Sequence, residues 1–173
     1  FCFWRGPTAI SLFKVNHIMD IKKSKTIYFV RHAESEANKA GDRFQDTTSP
    51  LSAEGLRQAK ALAKRMVSIR IDGIFSSTMK RARQTARSIA GKTGKSIVYT
   101  DLLGETRVPS VYYGKRRDDP EVLKLRELYA QHKFDGSWRI ADEENFEDRK
   151  ARAKKILEFL LNREEQNILL VTH

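Results

Sequence analysis

Four short runs, 27–30 (IYFV), 71–75 (IDGIF), 97–99 (IVY) and 168–171 (ILLV), are apolar and rich in β-branched or aromatic residues, and the stretches between them carry apolar residues at helical spacing. No other feature constrains the fold more. A strand that is apolar along its length must be covered on both faces, and parallel strands need long, usually helical, crossovers. The expected fold class is therefore α/β, a three-layer α/β/α sandwich with a mainly parallel central sheet.

The helical patterns can be placed individually. Leu56, Ala59, Leu62, Ala63 and Met66 keep a period near 3.6 behind Ser52, an expected N-cap. Met79, Ala82, Ala86, Ile89 and Ala90 repeat the pattern, with Gly91 or Gly94 as the stop. Asp119 and Pro120 form a good entry pair for a third helix using Val122, Leu125, Leu128 and Tyr129. A last helix is expected from about Asn145 to Arg163, with Ala153, Ile156, Leu157, Leu160 and Leu161 facing inward.

With 173 residues, 40% of them apolar, the chain can bury one real core. Residues 19–173 read as that domain. Residues 1–18 precede Met19 and read as an N-terminal extension; a strand or arm packed on the domain is the alternative. A single cysteine, Cys2, excludes an internal disulfide framework and fits a reducing, cytoplasmic setting. No apolar run approaches the roughly 20 residues of a membrane helix. The excess of 33 Lys and Arg over 22 Asp and Glu gives a net charge of +11, which suits nucleic acid, a membrane surface or an anionic small substrate. The cations are scattered over helix faces without a stacking-aromatic motif, which speaks against nucleic acid.

In open α/β sheets, ligands bind beyond the carboxyl ends of the strands. After Val30 come Arg31 and His32; after Phe75 come Ser76, Ser77 and, one helical turn on, Arg81; the loop after Tyr99 holds Glu105; after Val171 come Thr172 and His173. Two guanidinium groups can grip phosphate oxygens bidentately. A neutral histidine can act as nucleophile, and a second, protonated one can donate to the charge that builds up on the phosphoryl oxygens. A carboxyl raised by an apolar loop can protonate a leaving oxygen. These residue types imply phosphoryl transfer through a phosphohistidine, without metal or other cofactor, because no carboxylate cluster suited to Mg²⁺ is evident and the arginines supply the positive charge.

The order of motifs resembles the histidine phosphatase superfamily, the phosphoglycerate-mutase-like proteins. Phe29-Val30-Arg31-His32-Ala33-Glu34-Ser35 with Asn38 six positions after the histidine is similar to its first signature. Pro50-Leu51-Ser52 with Gly55 and Gln58-Ala59 is similar to the second, and Ser77 with Arg81, Ala82 and Thr85 to the third. Leu103-Gly104-Glu105 looks like the loop of the family's acid, and Val171-Thr172-His173 like the strand end of its second histidine. The resemblance spans residues 26–173. It implies a phosphoglycerate-mutase-like fold with His32, Glu105 and His173 catalytic, and Arg31, Asn38, Arg81 and His173 binding the substrate phosphate. It also implies a phosphorylated small molecule or phosphoprotein as substrate. Within it, His32 is the nucleophile, and Glu105 is the proton donor and then the base that activates water.

Two departures accompany the resemblance. Ala33 stands where a glycine is usual, a harmless change unless the turn needs positive φ. The chain ends at His173, where such proteins continue, so the resemblance implies a domain truncated at its C-terminus and sets an expectation of impaired stability and activity for this polypeptide. Other residues have plainer readings. Ser77 and Thr78 read as helix caps; His17 and His132 as surface or packing residues; Cys2 as unreactive; Glu34, Glu36 and Asp101 as acids competing with Glu105 for its role. A metal site from His32, Glu34 and His173 is opposed by the adjacent arginines. Hydrolysis of phosphate monoesters is the first functional expectation. The alternatives are a mutase-type phosphotransferase, a catalytically silent polyanion-binding module and a protein-binding relative.

Overall fold

A computed structural model describes residues 10–11, 24–41, 43–44, 47–132 and 134–173. A central sheet carries the strands β1 (Ile10–Ser11), β2 (Thr26–Arg31), β3 (Gly73–Ser76), β4 (Ile97–Tyr99) and β5 (Asn167–Thr172) in the order β1-β2-β5-β3-β4. β2, β5, β3 and β4 run parallel, and β1 pairs antiparallel with β2. The four apolar runs of the sequence are the four parallel strands. Most of residues 1–18, with Cys2 and His17, and Met19 just after them, lies outside the described residues.

The central strand explains the layers. Ile168, Leu169, Leu170 and Val171 of β5 are all fully buried, and they alternate between two cores. Leu169 and Val171 join Val30, Ile74, Leu62, Met66 and Ile89 beneath α2 (Ala53–Met66) and α3 (Lys80–Thr93). Ile168 and Leu170 join Phe75, Leu103 and Leu160 on the opposite face, beneath α5 (Phe146–Leu161). The fold is thus an α/β/α sandwich with a mostly parallel sheet.

The helix ends follow local chemistry. The Ser52 hydroxyl accepts from the Gly55 N–H, and Gly94 closes α3 in a left-handed conformation. Asp119 caps α4 (Pro120–Gln131), and Asn145 with Asp148 forms a capping box on α5. One short helix was not legible in the apolar pattern: α1 (Glu36–Ala40), capped by Ser35 and Asn38.

The inward faces depart from the periodic reading in places. Leu56 is exposed while the rest of its stripe is buried. On α4 only Val122 is buried, and Leu128 and Tyr129 are exposed. On α5, Leu160 is buried and Ile156 and Phe159 pack on the core, but Ala153, Leu157 and Leu161 face outward. That helix is turned so that its half-buried Arg152 points toward the loop after β4. His132 stacks on Trp138 with ring centroids 4.5 Å apart, a packing role as its plain reading implied. No helix among the described residues is long and apolar enough to cross a membrane.

Candidate active site

Parallel strands in register bring their carboxyl ends to one edge. Arg31 pairs with Thr172 across β2 and β5, Ser76 pairs with Val171 across β3 and β5, and the His32 N–H donates to the Thr172 carbonyl at 2.8 Å. The turn after His32 is held from behind. The Ala33 N–H donates to Thr85 Oγ1, the Ser52 N–H donates to the Glu34 carbonyl, and Ser52 Oγ donates to Glu34 Oε1 at 2.6 Å. Gly55 permits this approach: a Cβ there would lie 1.9 Å from the Glu34 carbonyl oxygen. Ala33 itself does not have positive φ, so its replacement of glycine costs no backbone strain.

A cavity of about 710 Å³ opens at this edge, lined by Arg31, His32, Asn38, Arg81 and Glu105 among others. Its rim adds Arg107 and Arg117, so four arginines face it against two carboxylates, Asp101 and Glu105. Arg117 lies over the Phe44 ring at 4.8 Å. The loop of Phe44 is stitched to the loop before Arg117 by a bond from the Phe44 N–H to the Lys115 carbonyl. The volume falls in the range typical of small-molecule sites.

His32 is buried, and both ring nitrogens are engaged. Nδ1 lies 2.7 Å from the Ala33 carbonyl, and Nε2 lies 3.1 Å from Nε of Arg81, a group that can only donate. This pairing assigns the ring proton to Nδ1 and leaves a lone pair on Nε2, directed at the arginine. Burial chiefly, with the guanidinium groups of Arg81 and Arg31 adding to it, lowers the His32 pKa to about 4.

His173 sits behind the cavity wall rather than on it. Its ring meets that of His32 edge-on with centroids 5.1 Å apart, and its Nε2 is 3.0 Å from Ser77 Oγ. Its buried Nδ1 has no hydrogen-bond partner among the described residues and lies 3.9 Å from Glu105 Oε2. Burial first, then Arg81, His32 and Arg31, lower its pKa to about 3. The sequence reading expected a protonated second histidine; desolvation beside fixed guanidinium charges keeps it neutral instead.

The remaining predicted residues are distributed as follows. Arg81 is buried at the start of α3, while Arg31 is exposed at the end of β2. The Asn38 Oδ1 accepts from the backbone N–H and the hydroxyl of Ser35, so its amide NH₂ is the part left to meet an anion. Glu105 lies in an exposed loop, its side chain 49% accessible, not in the apolar surroundings expected of it. Of the competing acids, Glu34 holds Ser52, and Asp101 lines the cavity but accepts a hydrogen bond from Thr78. Ser77 is the residue whose reading changes most. Neither Ser77 nor Thr78 caps α3, whose N-cap is Met79 without a side-chain cap bond; the Ser77 hydroxyl accepts from the Met79 N–H just before the helix and also bonds His173. Among the described residues, no group of three or more His, Cys, Asp or Glu is arranged to hold a metal ion.

Comparison with known proteins gives this arrangement a context. A family model for the histidine phosphatase superfamily (branch 1) matches residues 27–173. A probable phosphatase of Schizosaccharomyces pombe is 40% identical over 80 residues, 46% of this chain and 38% of that protein. A 2,3-bisphosphoglycerate-dependent phosphoglycerate mutase of Thermoplasma acidophilum is 30% identical over 151 residues, 86% of this chain and 70% of the mutase. Further relatives bear phosphatase and phosphoglycerate mutase names. The crystal structure of the alpha-ribazole phosphatase from Shigella flexneri superposes with a TM-score of 0.72 at 24% identity, covering 85% of this chain and 73% of the other, a likeness of fold.

Proposed function

From this chain's membership of the histidine phosphatase superfamily, we propose that it is a phosphatase hydrolysing phosphate monoesters without a metal ion, through a phosphohistidine on His32. The observation that carries the reading is the unprotonated Nε2 of His32, turned toward the cavity's arginines with its proton held on the far nitrogen by Ala33.

The steps follow from the residues. A phosphate dianion entering the cavity is drawn by Arg31 and Arg81, with the Asn38 amide as a further donor. Arg81 Nε then donates to a phosphate oxygen instead of His32, which frees the Nε2 lone pair. Nε2 attacks phosphorus, the bond to the leaving oxygen breaks, and the Glu105 carboxyl delivers its proton to that oxygen. The Nδ1–H···Ala33 contact stabilises the positive charge that the ring acquires on phosphorylation. The Glu105 carboxylate then takes a proton from water as the water oxygen attacks phosphorus. The P–N bond breaks, and inorganic phosphate and neutral His32 are regenerated. His173, behind the cavity wall, meets the His32 ring edge-on and packs it in place beside Glu105.

Hydrolysis is preferred to transfer because Glu105, the base of the water step, lines the cavity from an exposed loop. The substrate class is a phosphorylated small molecule or phosphoprotein, with cytoplasmic location following from the single cysteine. The test is turnover of p-nitrophenyl phosphate in excess chelator. Hydrolysis should continue there, and His32→Asn should lose it by at least about 10³-fold. A strict Mg²⁺ requirement, or full activity of His32→Asn, would refute the proposal.

A further inference from the structure

Glu105 stands on a short arch of backbone whose two feet are pinned by one ion pair. Arg152 of α5 donates from one terminal nitrogen to the carbonyls of Leu102 at 3.1 Å and Gly104 at 2.9 Å. Its Nε and other terminal nitrogen grip the two carboxylate oxygens of Glu144 at 2.5 and 2.7 Å. Glu144 reaches the other foot: its N–H donates to the Arg107 carbonyl at 2.8 Å, and the Arg107 N–H donates weakly to its Oε2 at 3.4 Å. Thr172 Oγ1 donates to the Leu103 carbonyl between the two Arg152 contacts. Among the described residues, the Glu105 carboxylate accepts one hydrogen bond, from the Thr106 N–H, and lies 3.9 Å from His173 Nδ1.

The pair is costly to build and well suited to this task. Its side chains are 23% and 10% exposed, so both charges are largely withdrawn from water, and such pairs contribute little net stability. Only a guanidinium can fork onto a carboxylate and donate to two carbonyls from one rigid plane. Burial works to raise the Glu144 carboxyl pKa, and the Arg152 guanidinium outweighs it, so the pair stays ionised at neutral pH.

We propose that the Arg152–Glu144 pair is a positioning device that fixes the Gly104–Arg107 arch, and with it the reach of the Glu105 carboxyl to the leaving oxygen. The inference rests on the reading of Glu105 as proton donor. Neither partner touches the phosphate cradle, so each acts through Glu105. A displacement of about 1 Å in such a group can cost on the order of 10² in rate.

The experiment compares Glu105→Gln, Arg152→Met, Arg152→Lys and the double variant Glu105→Gln/Arg152→Met on two substrates. p-Nitrophenyl phosphate leaves as a stable anion and needs no acid; an alkyl phosphate leaves as an alkoxide and does. Arg152→Met should lower kcat/KM, which reports phosphorylation of His32 and not the later water step, by at least about tenfold for the alkyl phosphate and by less than about threefold for p-nitrophenyl phosphate. Arg152→Lys keeps the charge without the fork and should show the same selectivity, which keeps the test alive if Arg152→Met does not fold. Inhibition by inorganic phosphate should not change, and the double variant should be no slower than Glu105→Gln alone. An equal loss on both substrates in the Arg152 variants, or additive losses in the double variant, would overturn the clamp while a selective Glu105→Gln left the acid reading standing. A Glu105→Gln without leaving-group dependence would overturn both.

Discussion

Acidification should weaken this protein through two imidazoles before most of its carboxylates respond. His32 and His173 are buried side by side, and their pKa values are lowered to about 4 and about 3. In the unfolded chain both return to about 6.5. Between those values the unfolded state binds protons that the folded state refuses, so stability is fully present above about pH 6.5 and falls as the pH drops toward the folded pKa values. For His32 the interval from 6.5 to about 4 corresponds to about 3 kcal/mol, of which about 2.5 kcal/mol is lost by about pH 4.5. The two rings lie 5.1 Å apart, so protonating one opposes protonating the other and the contributions are not additive. The assay is urea unfolding of the wild type and His32→Asn at a series of pH values. Carboxylates such as Asp72 titrate in both proteins and cancel in the difference. That difference should be flat above about pH 6.5 and shrink by about 2.5 kcal/mol at about pH 4.5. A difference that stays level over the whole interval would refute the reasoning. Saturating inorganic phosphate, which favours the protonated rings, should flatten the wild-type slope.

Leu170→Ala should destabilise by roughly 2–5 kcal/mol, because the side chain is fully buried in the core under α5; a midpoint unchanged in urea would contradict that packing. Ser77→Ala should remove the hydroxyl bonded to Nε2 of His173, weaken competitive inhibition by vanadate several-fold and cost about 1–3 kcal/mol of stability. Unchanged inhibition would show that His173 does not need that contact.

Much of the fold is written in local pattern. The strand of residues 168–171 has no polar residue because it is covered on both faces, and its alternation between two cores needs no further information. The parallel register then carries the residues after each strand to one edge, which is why Arg31, His32, Arg81 and Glu105 could be grouped before any coordinates. What was not legible depends on rotation and on long-range contacts. Leu157 and Leu161 match a helical stripe, but α5 is turned by its packing and by the reach of Arg152, contacts fifty residues distant in sequence. Ser77 looks like a cap because its link to His173 spans ninety-six positions. The neutral state of His173 depends on how deeply the ring is buried, and the exposure of Glu105 on where its loop is tied. Composition reveals neither.

The central claim is that His32 Nε2 forms a bond to phosphorus. Its most direct test is to mix the protein with a ³²P-labelled phosphate monoester, quench in alkaline detergent, and map the label. Label is expected on the peptide containing His32, stable to base, released by acid and absent from His32→Asn. Acid-stable label, or label that survives His32→Asn, would contradict it.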